Sequence, residues 1–257
     1  MRSFWLPAAT LAWREVVRFL RQPSRIAGAV VSPLLFWVLI GSGLAPSFQA
    51  PQAPGVGYLE YFYPGTLALV ILFAAIFSTI SVIEDRHTGF LQGVLVAPVP
   101  RAAIVAGKVL GGTTLAMLQG ALFLPLAPLA GFSLAPSRLA AVLGALGLLA
   151  LFLTTLGFVG AWVVDSVQGF HAVMNLVLVP LWLLSGAFFP VPAAGWLAPV
   201  MAANPLTYGV AALRHAFGAG VGTAVSGGVA TAILGGATVA AFLLALWVVR
   251  GDSRRAR

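Results

Sequence analysis

The chain has 257 residues, 60% of them hydrophobic and only 8% charged, with a mean hydropathy of +1.02; a soluble domain carries about 25% charged residues, so this one lacks the polar surface to cover a globule in water. Its net charge of +8 does not point to nucleic acid, because the basic residues lie in short segments between apolar runs and no Lys/Arg patch is interleaved with aromatics. The absence of cysteine excludes disulfides and thiolate metal sites.

In chain order, Arg14, Glu15, Arg18 and Arg21 interrupt the first 25 residues, where a cleaved signal needs an unbroken apolar core; none is expected. Residues 5–22 read instead as an amphipathic helix lying on a membrane surface. At 100° per residue Arg14, Arg18 and Arg21 share one face, and Trp5, Ala12, Val16 and Phe19 the opposite one. Pro7 suits its first turn and Pro23 ends it. Charge-free apolar runs long enough for a hydrocarbon layer of about 30 Å follow at residues 26–44, with Pro33 inside, and 64–83. Residues 45–63 between them form a predicted outer loop, in which Tyr58, Tyr61 and Tyr63 fit an interfacial aromatic belt. A charged, water-facing loop then occupies residues 84–101.

The third span is predicted at 104–130, with Lys108 near its start snorkelling to the surface. The fourth and fifth follow at 139–164 and 170–189, separated by a short turn at Asp165. Residues 190–227 hold many Pro and Gly but no further full span, so a part-helical outer segment dipping back into the membrane is expected. The sixth span is predicted at 228–249, followed by a basic tail. The fold expected is therefore a single all-α integral membrane domain over 1–257, with six transmembrane helices. With both termini cytoplasmic, the cationic side chains fall inside except Arg138 and Arg214, as the positive-inside bias requires.

No chemistry-bearing motif emerges. A phosphate-binding P-loop needs G-x-x-x-x-G-K-[ST]; before Gly107-Lys108 the first Gly is Ala102, and Val109 follows in place of Ser/Thr. His87, His171 and His215 are scattered without a metal-ligand spacing. Ser185-Gly186 lacks the Gly two residues upstream that a nucleophile elbow carries. In the charged loop, Phe90, Leu91, Val94 and Leu95 recur as one apolar helical face between Gly89 and Pro98, bracketed by Glu84, Asp85, Arg86 and Arg101. Such a helix suits a partner's groove, or rests on lipid headgroups with its charges solvated.

The run E-D-R-x-x-G-F-L-x-x-x-L-x-x-P-x-x-R at Glu84–Arg101, the interfacial helix, six spans, and Asn204-Pro205-Leu206-Thr207-Tyr208 with Leu213-Arg214 before the last span together resemble the type-2 class of ABC-transporter permeases, which serve drug, lipid and polysaccharide exporters. The resemblance covers essentially the whole chain. It implies a membrane permease that is not an enzyme and binds no cofactor. ATP and Mg would sit on two partner ABC ATPase subunits, beside a second permease copy or a sister permease, in the bacterial-type cytoplasmic (inner) membrane. It implies that Glu84, Asp85, Arg86, Gly89, Phe90, Leu91, Leu95, Pro98 and Arg101 form the coupling helix region, and that the helix bearing Arg14, Arg18 and Arg21 also touches the ATPase. The sequence departs from the family in Arg86-His87-Thr88, where acidic or small residues are more usual. At the outer side Glu60, Asn204, Pro205, Tyr208 and Arg214 are candidate gate residues; Glu60 and Arg214 either pair or are hydrated separately, and Asn204-Pro205 shapes a turn. The nearly charge-free spans disfavour an ionic cargo in the midplane and leave greasy drugs, lipids or lipid-linked glycans. An ion-gradient-driven secondary transporter is the alternative, and it would need intramembrane acids or histidines.

Overall fold

A computed structural model describes residues 4–44, 56–191, 194–219, 223 and 225–255, with backbone alone at 23–26, 29–30 and 252–255. Residues 45–55 of the predicted outer loop, parts of the 190–227 segment, Arg2, Arg257 and the side chains of Arg25, Arg254 and Arg255 lie outside the described residues.

Every regular element described is helical. The first, α1 (Trp5–Leu20), is followed by α2 (Pro23–Leu44), α3 (Tyr58–His87), α4 (Phe90–Val96) and α5 (Arg101–Phe123), which tightens into a 3-10 turn at Leu124–Ala130. Next come α6 (Pro136–Val163) and α7 (Val167–Trp182), which widens into a π turn at Leu183–Ala187. The chain ends with α8 (Leu197–Ala203), α9 (Pro205–Phe217) and α10 (Gly227–Arg255). Five helical stretches, 58–87, 101–130, 136–163, 167–187 and 227–251, are long and apolar enough to cross a membrane, and α2 adds the shorter apolar stretch Val31–Leu44. The protein is a multi-pass membrane protein.

The helix α3 is the post around which the rest is packed. It touches α2, α5, α6 and α7 and is buried along nearly its whole apolar length. Lipid offers helices no hydrophobic drive to associate, so close packing through small residues replaces it. A Cβ added at Gly112 on α5 would lie 2.6 Å from Thr154 and 2.8 Å from Ser78, so this glycine lets α5, α6 and α3 meet. At 30 residues, α3 is about 45 Å long, longer than the hydrocarbon layer, and both of its ends carry polar work.

Three sequence expectations are corrected. Tyr58, Tyr61 and Tyr63 are not a headgroup-facing belt in a loop. They occupy the first turns of α3 and are 2%, 3% and 0% exposed, because neighbouring helices surround that end too. Their hydroxyls donate to the carbonyls of Phe188, Gly186 and Phe123. Lys108 does not snorkel; it is buried. On α1 the buried stripe is Ala8, Leu11, Glu15, Val16 and Phe19, whereas Trp5 is exposed.

Candidate functional site

At the C-terminal end of α3, three elements meet through charge. The Asp85 carboxylate is buried and accepts from Arg14 through both oxygens, at 2.8 Å each, and from Arg18 at 2.8 Å. It also accepts from Lys108. Lys108 donates again to Glu15 at 2.6 Å, Arg14 reaches Glu15 at 3.2 Å, and Arg18 closes on Glu84 at 2.7 Å. Three cations, Arg14, Arg18 and Lys108, therefore face three anions, Glu15, Glu84 and Asp85. The cluster is electrically neutral, the condition for holding charges away from water. The hydrogen bonds to Asp85 push the Arg14 guanidinium above its ordinary pKa, so it stays charged throughout.

The cluster binds α1 to both α3 and α5. Two glycines allow α1 to lie flat on α5: a Cβ at Gly107 would stand 2.8 Å from the Ala8 carbonyl oxygen, and one at Gly111 2.8 Å from the Glu15 Cβ. Of the three predicted interfacial arginines, Arg14 and Arg18 thus engage protein, while Arg21 is exposed. Glu15 and Lys108 are the members that sequence reading missed. A signal existed for each. Glu15 lies four residues from both Leu11 and Phe19 on the buried stripe, and Lys108 lies beside a Gly-x-x-x-Gly pair.

Beyond Asp85 the chain turns sharply. Gly89 adopts φ 77°, a left-handed conformation that residues with a Cβ rarely take, and α4 leaves from it. Arg14 lies over the Phe90 ring at 3.7 Å, so the cluster reaches the first residue of α4. Leu91 is buried, Leu95 half-buried and Pro98 exposed. Between α1 and α4 an apolar groove of about 510 Å³ is lined by Leu6, Leu11, Phe90, Val94, Ala97 and Val99. Arg86 turns to another partner, donating to Asp165 at 3.0 Å and to the Trp162 carbonyl, while His87 contacts the Asp165 carbonyl at 2.8 Å. Arg101 donates to the Val249 carbonyl at 2.7 Å. The predicted coupling residues thus join α4 to α3 and α1, α3 to the end of α6, and α5 to α10.

The predicted gate residues lie at the other end of α3. Asn204 caps α9: its Oδ1 accepts from the Leu206 amide at 3.0 Å and its Nδ2 donates to the Leu181 carbonyl at 2.6 Å. Pro205 is the first residue of that helix, where its missing N–H is no loss. Tyr208 donates to the Ala202 carbonyl. Arg214 does not pair with Glu60; it donates to the carbonyl of Gly186 at 2.7 Å and more weakly to that of Tyr61, with its guanidinium 4.0 Å from the Tyr61 ring centre. Glu60 lies instead against the Gly131 turn.

A helical bundle traversing a membrane, with an amphipathic helix charge-locked to its central post, defines a polytopic membrane subunit. The chain belongs to the ABC-2 type transporter family, whose sequence model matches residues 8–217. It is 26% identical over 221 residues to a daunorubicin resistance ABC transporter permease protein, DrrB1, of Streptomyces coeruleorubidus, covering 80% of this chain and 74% of that one. It is 23% identical over 227 residues to the inner membrane transport permease YadH of Escherichia coli, covering 84% and 85%. It is also 28% identical over 186 residues to nodulation protein J of Rhizobium leguminosarum, covering 70% and 68%. It is a type-2 ABC permease, a transport subunit that is not itself an enzyme, and membership implies association with ATPase subunits.

Proposed function

We propose that this chain is the membrane-spanning half of an ATP-driven exporter that moves a hydrophobic or lipid-linked substrate out of the cytoplasm. In this reading α2, α3, α5, α6, α7 and α10 are six spans, both termini face the cytoplasm, and α8 and α9 form a re-entrant segment at the outer face of the cytoplasmic membrane. Two ATPase subunits bind ATP and Mg and close on nucleotide, and two permease copies, or sisters, rock about their seam. The helix α4 takes up the thrust.

The observation that carries the proposal is the way α4 is attached. It hangs from α3 through Gly89, and Arg14, hydrogen-bonded to Asp85, lies over Phe90. A push on α4 therefore loads α1, α3 and α5 together through one neutral ion cluster whose centre, Glu15, Asp85 and Lys108, is buried. A partner shifts the transporter only insofar as it holds one conformation more tightly than the other. The name of the relative tied to daunorubicin resistance fits a greasy cargo, and the nearly charge-free spans agree with it.

Replacing Phe90 and Leu95 with aspartate is the direct test. Phe90→Asp with Leu95→Asp is expected to abolish stimulation of a co-isolated ATPase while the chain still inserts and folds. Unchanged ATP turnover would remove the coupling role from α4. Cargo movement by the purified chain on a proton gradient alone would replace the whole reading with a secondary transporter.

A further inference from the structure

Arg214 is 3% exposed, yet it has no carboxylate partner among the described residues. The six acids of the chain account for this. Glu15, Glu84 and Asp85 belong to the charge cluster, Asp165 pairs with Arg86, and Glu60 lies at Gly131; the side chain of Asp252 falls outside the described residues. Where Lys108 has two carboxylates, Arg214 has carbonyl oxygens and the face of Tyr61. A buried cation without a counter-charge is costly, and more so at membrane depth.

Arg214 also lines a cavity of about 80 Å³, with the hydroxyl residues Ser185, Thr207, Tyr208 and Thr223 and an otherwise apolar wall that includes Ala211. That is room for several waters or one compact ion. Both of its hydrogen bonds to carbonyls come from Nη2, which leaves the Nε–Nη1 edge without a carbonyl or carboxylate acceptor among the described residues. That edge is the fork that grips two oxygens of one oxyanion. The hydroxyls around it discriminate further. Ser185, Thr207 and Tyr208 donate their protons to the carbonyls of Trp182, Met201 and Ala202, so these three turn lone pairs to a ligand, while Thr223 contacts His215 at 3.1 Å. A halide, with no proton to give, matches those three poorly. A phosphate monoanion offers charged oxygens to Arg214 and a P–OH to the hydroxyl lone pairs.

We infer that the cavity beside Arg214 is a binding site for a phosphate-type oxyanion, supplied as inorganic phosphate or as the phosphate monoester headgroup of a lipid. The site stands apart from α4, so its failure would leave the ATPase coupling untouched.

Thermal unfolding of the full chain in an uncharged detergent tests it, with sodium phosphate titrated against sodium sulfate at equal ionic strength. Both anions stabilise proteins by exclusion from the surface, but only binding to the native state gives a response that saturates. Phosphate is expected to give a saturating rise in Tm that Arg214→Gln removes. Ala211→Leu fills the cavity while leaving Arg214 and its contacts in place, and is expected to remove it too; this variant decides the matter should Arg214→Gln not fold. The same comparison in phosphatidylcholine nanodiscs with and without phosphatidic acid distinguishes the sources. A shift with inorganic phosphate assigns a free ion, and a shift with phosphatidic acid alone assigns a headgroup. No saturating shift with either, or the same shift in Ala211→Leu, overturns the inference.

Discussion

Lys108 shows how a charge enters a membrane bundle without being marooned there. Its ammonium group has two carboxylates, one from α1 and one from α3, and all three side chains are at most 4% exposed. Removing one partner of such a set leaves the others buried and uncompensated, at a cost of about 3–5 kcal/mol. Lys108→Met is therefore expected to lower stability by about that much, measured by thermal or denaturant unfolding in detergent. Glu15→Gln added to it should cost less than the sum of the two single changes, because the groups share one network. Additive losses would mean that Glu15 and Lys108 act independently, against the geometry.

The element scale is governed by how closely α1 can lie on α5. Gly107→Val puts a branched side chain where Cβ alone meets the Ala8 carbonyl oxygen at 2.8 Å. Overpacking of this kind costs about 1–3 kcal/mol, and here it falls on one contact, so α1 should lift. Limited proteolysis after Arg18 and Arg21 is the measure, with faster cleavage expected. Gly235→Ala on α10, where nothing lies within 4 Å, is the control and should be neutral or stabilising by up to about 1 kcal/mol. This same contact marks the limit of what the chain's order of residues reveals. The helix breaks at Pro23 and Gly89, the long apolar runs and the acid pair Glu84-Asp85 are local features, and they are legible one by one. That Arg14, Asp85 and Lys108 meet is not local, since it depends on three elements brought together by tertiary packing. Membrane helices add a second difficulty: the side facing lipid and the side facing protein are both apolar, so periodicity does not separate them. The tyrosines at the start of α3 were misplaced for this reason, and the 3-10 and π turns that end α5 and α7 have no periodic signature at all. Glu15, an acid set into an apolar stripe, does carry a local signal that it needs a buried partner, yet the sequence reading assigns it none.

Across the whole molecule, α3 joins two unlike ends. Tyr61 and Asp85 are 24 positions apart on one helix, about 36 Å along its axis, which exceeds the hydrocarbon thickness. One end gathers Arg14, Arg18, Lys108 and their acids beside α4. The other gathers three tyrosines, the π turn and Arg214. In the proposed orientation, which follows the positive-inside bias, the first end lies in the cytoplasm, and the absence of native cysteine makes this directly measurable. Val96 at the end of α4 is 86% exposed, and Trp196, at the start of α8, is 79% exposed, so each accepts a reporter thiol without disturbing packing. Val96→Cys is expected to react with a membrane-impermeant maleimide in inside-out vesicles and not in intact cells, and Trp196→Cys the reverse. Labelling of both from one side would collapse the span count, and exchange of the two patterns would turn α4 away from any cytoplasmic motor. The proposed mechanism requires the opposite: force enters where the charges cluster, and the post carries it some 36 Å to the end that opens.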